Sequence, residues 1–368
     1  MQYRPFGKTG IQVSALGWGL MRLPQNDEEA ISVIRHGIDH GINYLDTAPG
    51  YNDGWSERML GEAIKPYHRS ELYLSTKNPL EDNTGDGWRR RLDASLERIG
   101  AGYLDFYQVV HGMSRQAFED NFSKPGAGLD AAHKARDEGL IHHLCFSCHD
   151  SPENMMWLVD TGYFEGMTVQ YNLLDRRNEE AMAYASEHGF GIAIMGPVGG
   201  GRLGFPSERI STMVAGGVSG TPQVALRFVL ANSHVSTALS GMNTIQMVDE
   251  NVAAASLETP LSAEEQDGIA RMLEENQRLA ELYCTGCNYC MPCPNKVAIP
   301  QIFELMNLHR VWGLTDLAKR RYRHLGPEHR EGWLPASECL ECGECEPKCP
   351  QKIPIVEQLK ETAKALGE

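Results

Sequence analysis

Residues 15–46 read ALGWGLMRLPQNDEEAISVIRHGIDHGINYLD, and the order of patterns in this stretch decides the fold. The apolar run 15–19 is a buried strand. Asn26 or Asp27 then offers an N-cap, Ala30, Ile31, Ile34 and Ile38 recur on one helical face, and Gly41 stops the helix just before a second apolar run at 42–45. Upstream, segment 4–13 carries Gly7 and Gly10 and reads as a short hairpin. Downstream, strand-like runs recur at 72–76, 104–110, 141–147, 167–171, 191–195 and 235–239. Helical patterns separate them, for example at 88–99, 152–159, 179–188 and 222–230, and another follows at 246–255. Eight alternating units predict an α/β fold, a closed (β/α)8 TIM barrel. The competing open sheet would use Gly199-Gly200-Gly201-Arg202-Leu203-Gly204, which matches a dinucleotide glycine pattern. That pattern needs a helix starting within the glycines and an acidic residue about 20 positions on, whereas Pro206 and Ser207 follow here. The glycines, Gly199 and Gly201 among them, are expected instead to form a flexible loop whose backbone approaches a cofactor phosphate.

The chain of 368 residues is 42% hydrophobic and 23% charged, ordinary globular usage that excludes disordered and fibrous classes. Its formal charge of −15 opposes nucleic acid or anionic lipid as partners. No run reaches the roughly 18 apolar residues of a spanning helix, and Met1-Gln2-Tyr3-Arg4 does not open an export signal. A cytoplasmic chain without membrane insertion is expected. From residue 284 onward eleven cations balance eleven anions, so the negative excess lies in residues 1–283, and eight of the ten cysteines lie beyond that point. Two domains are expected, a barrel at 1–278 and a cysteine-rich domain at 279–368.

In such a barrel the chemistry sits at the C-terminal ends of the strands. Polar residues close successive runs there: Asp46 with Tyr51 five residues on, Lys77, His111, Ser147, and Gln170-Tyr171-Asn172. A phenol beside an ammonium suits proton delivery to a carbonyl oxygen while a hydride arrives at carbon, because the cation stabilises the phenolate. Lys77 would supply that charge, Asp46 would keep it protonated and oriented, and His111 would hold the substrate oxygen. Singly these residues read as a surface ion pair, a boundary histidine and a packed aromatic. Their joint position on successive strand ends carries the functional reading.

The chain resembles the aldo-keto reductase family over about 280 residues. The matching segments are Leu45-Asp46-Thr47-Ala48-Pro49-Gly50-Tyr51 with Ser56-Glu57 and Leu60-Gly61, Ser75-Thr76-Lys77, Asp105-Phe106-Tyr107 before His111, Gln170-Tyr171-Asn172, and 241–251 ending in Glu250-Asn251. The resemblance implies a barrel that binds an extended nicotinamide cofactor, with Asp46, Tyr51, Lys77 and His111 as catalytic tetrad. It implies that Ser147 and Gln170 hold the carboxamide and that Glu250 and Asn251 contact adenine. Members that prefer NADPH clamp its extra phosphate with a lysine and an arginine after strand eight. The aligned positions here are Gly241 and Met247, no Lys or Arg occurs at 235–251, and Asp249 and Glu250 add negative charge. NADH is therefore favoured, unless Arg202 reaches across. The family's aromatic stacked on nicotinamide is replaced by Met195, and its asparagine beside Ser147 by Cys148. The family histidine stands five residues after the aspartate, whereas Asp105 to His111 is six. One added residue reverses a strand's side-chain face, so a bulge is expected to turn His111 inward.

The tail reads Cys284-x2-Cys287-x2-Cys290-x2-Cys293-Pro294 and Cys339-x2-Cys342-x2-Cys345-x3-Cys349-Pro350. Thiolates three residues apart supply three corners of a cubane, and a later Cys-Pro supplies the corner of the partner cluster. By that rule Cys284, Cys287, Cys290 and Cys349 hold one 4Fe-4S cluster, and Cys339, Cys342, Cys345 and Cys293 the other. Structural zinc would use two separated pairs per ion instead. Cys293-Pro-Asn-Lys-Val-Ala-Ile recurs as Cys349-Pro-Gln-Lys-Ile-Pro-Ile, each before a helical run, so a duplicated, mostly helical ferredoxin-like domain is expected. Cys145 and Cys148 read as core thiols, His142-His143 as a loop pair, and Lys319-Arg320-Arg321-Tyr322-Arg323 as a solvated helix face open to an acidic electron carrier.

Two functions follow. The first is an iron-sulfur reductase interconverting a small carbonyl and its alcohol. The second is an electron-transfer module in which the clusters relay single electrons between a ferredoxin or flavodoxin-type carrier and a flavin, the barrel serving as scaffold. No flavin motif is seen, although a flavin would be needed to join one-electron to two-electron chemistry.

Overall fold

The computed structural model describes residues 1–79, 81–82, 84–214, 220–281, 284, 288–328, 332–349 and 352–367, with 276–281 as backbone only. They form two compact units, Met1–Gly200 with Ala225–Pro260, and Gly201–Val224 with Leu261–Glu368.

The first unit opens with an antiparallel hairpin of β1 (Tyr3–Pro5) and β2 (Gln12–Ser14). Eight parallel strands follow: β3 (Leu16–Gly19), β4 (Tyr44–Asp46), β5 (Tyr73–Lys77), β6 (Leu104–Gln108), β7 (Ile141–Cys148), β8 (Gly166–Gln170), β9 (Gly191–Met195) and β10 (Thr237–Ser240). They pair in chain order, and β10 closes on β3 with Ala238 opposite Leu16. The closed (β/α)8 barrel is the fold the alternation predicts. Asn26 caps the first helix, Asp27–Asp39, its side chain accepting from the Glu29 amide.

The hairpin plugs the N-terminal mouth. Phe6 is buried against Tyr44 and Phe106 and against the first residues of β8 and β9. A Cβ on Gly191 would lie 2.0 Å from the Phe6 ring and one on Gly166 2.6 Å from it, so only glycine fits where those strands start. With that end filled, the opposite mouth is left for chemistry.

Two expectations change. The strand expected at 104–110 ends at Gln108. The glycine run expected as a flexible loop is a 3-10 helix, Gly199–Gly204, with φ of 61°, 66° and 90° at Gly199, Gly200 and Gly201, values that glycine adopts without strain.

The second unit gathers helices Ala263–Glu281, Ile299–Arg310, Thr315–Tyr322 and Ile355–Leu366. Its core includes Ile302, Leu314, Ala318, Leu359 and Leu366. Segment 201–224 joins it through Ser207 Oγ, which donates to the Trp312 carbonyl at 2.7 Å. The sequence repeat is also a repeat of backbone. Lys296 and Lys352 both take left-handed φ, 56° and 53°, and their amides bond the Cys293 and Cys349 carbonyls at 2.9 and 3.1 Å. Asn288 and Gly343, each following the second cysteine of its motif, are left-handed too. No helix among the described residues is long and apolar enough to cross a membrane.

Candidate active site and cluster-binding region

Asp46 and Lys77 are the last residues of β4 and β5, whose register sets Asp46 opposite Ser75. Lys77 Nζ donates to Asp46 Oδ1 at 2.5 Å and to the Thr47 carbonyl at 2.7 Å, and Ser75 Oγ donates to Asp46 Oδ2 at 2.9 Å. Lys77 is 4% and Asp46 2% exposed. Burial is the largest single influence on Lys77 and pushes its pKa down. Asp46 and then Tyr51 more than reverse this, so the net shift is upward and the ammonium persists. Its Nζ lies 5.0 Å from the centroid of the Tyr51 ring.

The segment after Tyr51 explains how the ring comes to stand there. Asn52, Asp53 and Gly54 take φ of 50°, 51° and 74° in succession. Asn, Asp and Gly are the residues that best tolerate the left-handed region, and they turn the chain from Tyr51 into helix Trp55–Ile64. That helix is anchored from behind by Glu57, which is fully buried and accepts from Thr76 at 2.7 Å and Arg98 at 2.5 Å. Ser75 and the Glu57–Arg98 pair escape sequence reasoning. The Ser56-Glu57 motif marks one partner, but Arg98 is 41 positions away.

His111 reaches the rim without the expected bulge. Because β6 stops at Gln108, strand alternation no longer dictates which way the next residues face. Trp88 Nε1 donates to the Val109 carbonyl at 2.8 Å, the His111 amide to the Asn78 carbonyl at 2.8 Å, and the Gly112 amide to Ser147 Oγ at 3.0 Å. His111 is exposed. Its pKa is lowered, first by the protein around it and next by the Lys77 ammonium, with Asp46 opposing. Lys77 and Asp46 thus act on its imidazole.

Ser147 is buried and its hydroxyl holds the His111 loop. Gln170 ends β8 half-buried, and its side-chain amide has no hydrogen-bond partner among the described residues. A Cβ on Gly196 would meet that amide at 2.8 Å. Met195 ends β9, also half-buried. Asn251 is buried on Ser240 at 3.1 Å, while Glu250 accepts from Gln246 at 2.8 Å. Cys145 and Cys148 are fully buried, and burial pushes both thiols up, Cys148 to about 11.

In the second unit a cavity of about 230 Å³ is lined by Cys290, Cys293, Cys339, Cys342 and Cys345. It brings Cys293 together with three cysteines of the later motif, and it is lined as well by Cys290, which the crossing rule gives to the other cluster. Burial pushes the Cys345 thiol up to about 11, with Glu346, Cys339 and Cys342 adding to the shift. Thiolates there therefore need compensating positive charge, which iron supplies. Volume and donor set both fit a cluster. Cys287 and Pro350 lie outside the described residues.

Comparison with known proteins agrees with the barrel. The profile of the aldo/keto reductase family matches residues 15–274. The chain belongs to that family. An uncharacterized oxidoreductase of Bacillus subtilis, YqkF, is 28% identical over 290 residues, covering 69% of this chain and 91% of its own length. The NADH-specific methylglyoxal reductase of Escherichia coli is 25% identical, with coverages of 70% and 94%. The holo form of an aldo-keto reductase from Bacillus halodurans superposes with a TM-score of 0.65 at 28% identity, covering 74% of this chain and 96% of that one. A 4Fe-4S dicluster domain profile matches residues 283–353, which supports iron-sulfur clusters in this reductase.

One cation at the mouth of the reductase was invisible in sequence. Arg22, in the turn after β3, lies along Gly241 with its Cβ and Cδ each 3.6 Å from where a Gly241 Cβ would stand. Its guanidinium donates to the Gly200 carbonyl at 2.8 Å. The stretch 235–251 lacks Lys and Arg, yet the fold delivers positive charge to Gly241 from the far end of the barrel sequence.

Proposed function

We propose that this aldo/keto reductase interconverts a small carbonyl and its alcohol with NAD(H), Tyr51 moving the proton at the substrate oxygen. The observation that carries this is the buried Lys77 ammonium, held by Asp46 and set against Tyr51 where β4 and β5 end. Bound nicotinamide supplies or accepts the hydride. In reduction the Tyr51 hydroxyl gives its proton to the carbonyl oxygen, and Lys77 balances the charge left on the phenol. Asp46 keeps Lys77 protonated and aimed. His111, kept neutral by its lowered pKa, offers a hydrogen bond to the same oxygen. The unpartnered Gln170 amide suits the carboxamide, and we assign Ser147 to it as well. We assign Gly199, Gly201 and Gly241 to the cofactor backbone, and Glu250 and Asn251 to adenine. We assign Arg22 to the cofactor diphosphate. The NADH-specific Escherichia coli relative favours NADH over NADPH.

For the clusters we assign Cys339, Cys342, Cys345 and Cys293 to one and Cys284, Cys287, Cys290 and Cys349 to the other. The dicluster match favours a second reading, single-electron relay to a protein carrier docked on the exposed Arg320, Arg321 and Arg323. Anaerobically purified protein separates the two. NADH oxidation driven by an aldehyde or ketone, reduced about 10²–10⁴-fold in Tyr51→Phe, supports the reductase. Stoichiometric flavin with cluster reduction by a carrier, insensitive to Tyr51→Phe, supports the relay.

A further inference from the structure

Away from both sites, helix Asp27–Asp39 follows the first barrel strand, and helix Ile245–Ala255 follows the last. The two meet across the seam where the barrel closes. His36 stands in the last turn of the first helix, His40 at its C-cap, and Asp249 on the second helix. One donor atom from each lies within 4.8 Å of the other two, the one such trio among the described residues. His36 Nε2 meets Asp249 Oδ1 at 2.6 Å, and the two imidazole rings lie 4.2 Å apart. His40 Nδ1 bonds the His36 backbone carbonyl at 2.7 Å. A carbonyl only accepts, so Nδ1 carries the proton and Nε2 of a neutral His40 presents its lone pair. Metal-ligating histidines make this outer bond. The trio also sits at a helix C-terminus, where the helix dipole favours a cation.

We propose that His36 Nε2, His40 Nε2 and an Asp249 oxygen bind a divalent transition-metal ion of the zinc type. Two imidazoles and a carboxylate suit such an ion, whereas Mg²⁺ and Ca²⁺ take oxygen ligands. With metal-ligand bonds of about 2.0–2.1 Å, tetrahedral donors stand about 3.3 Å apart, between the observed 2.6 Å contact and the 4.8 Å limit. On binding, the proton that a neutral His36 shares with Asp249 moves to His36 Nδ1, which has no partner among the described residues, and water takes the fourth position. The ion links the first and last helices of the barrel and so clasps its seam.

The test uses the cluster-loaded reductase, free of any histidine tag, its iron quantified before and after. Zn²⁺ is titrated calorimetrically, and Co²⁺ serves as a visible-absorption probe. One equivalent should bind with micromolar affinity. His40→Gln and Asp249→Asn, both exposed substitutions, should each weaken binding at least tenfold with iron content and circular dichroism unchanged. Undiminished binding in both variants would place the ion elsewhere, on cysteines for example. No binding to the wild-type protein would reduce the trio to a His36–Asp249 ion pair. Either result overturns the proposal.

Discussion

Replacing Lys77 by methionine removes an ammonium that is 4% exposed and leaves Asp46, 2% exposed, with Ser75 as its remaining side-chain partner. Breaking a buried ion pair costs about 3–5 kcal/mol, because the surviving charge is stranded away from water. At about 2–4 °C per kcal/mol for a domain of this size, the barrel of Lys77→Met should melt about 6–20 °C below wild type at pH 7. Lys77→Met/Asp46→Leu removes both charges, and exchanging a buried pair for apolar groups of similar volume is close to neutral. The double variant should therefore regain most of the stability while carbonyl reduction stays lost in both proteins. Anaerobic thermal melts followed by circular dichroism, run beside NADH oxidation, measure the two quantities separately. Folding raises the Lys77 pKa above its ordinary 10.5, so the folded state holds that proton more tightly than the unfolded chain. The pair's contribution is complete at neutral pH and fades as pH climbs through the raised value. Wild-type stability should thus fall more steeply above about pH 10.5 than that of the variant. A double variant that melts as low as the single one would refute the reasoning, since the penalty would then not be a stranded Asp46 charge.

Three further outcomes follow from the same geometry. Arg22→Ala should raise KM for NADH about tenfold, the worth of one charge-assisted hydrogen bond, with kcat little changed. A loss confined to NADPH would move Arg22 to the 2'-phosphate instead. Gly191→Ala drives a methyl into the Phe6 ring and should cost about 1–3 kcal/mol, seen as a lower urea midpoint with unchanged slope. Cys339→Ala should remove half the iron and acid-labile sulfide and leave the barrel melt in place; full iron retention would exclude Cys339 as a ligand.

Legibility varies across the molecule for identifiable reasons. The helical face of Ala30, Ile34 and Ile38, the glycine stop at Gly41 and the short strands are local patterns, and eight repeats of them leave few architectures open. Asp46 and Lys77 were readable because a parallel barrel makes consecutive strand ends neighbours. His111 was harder. Its face depends on where β6 stops, and Trp88, Asn78 and Ser147 set that stop from three other segments. The pairing of Glu57 with Arg98 was missed for a similar reason, since an ion pair between successive helices leaves no periodic trace.

Taken alone, the sequence determines the strand and helix alternation, the cysteine spacings and the chemistry available at each strand end. All of these rest on backbone preferences and side-chain periods that act within a few residues. Tertiary structure alone decides that Arg22 covers Gly241, that Phe6 fills the space above Gly166 and Gly191, and that Asp249 meets His36 across 213 positions. Those meetings are set by barrel closure: the register of the last strand on the first fixes which distant residues share a rim, a base or a seam, and no local rule carries that distance.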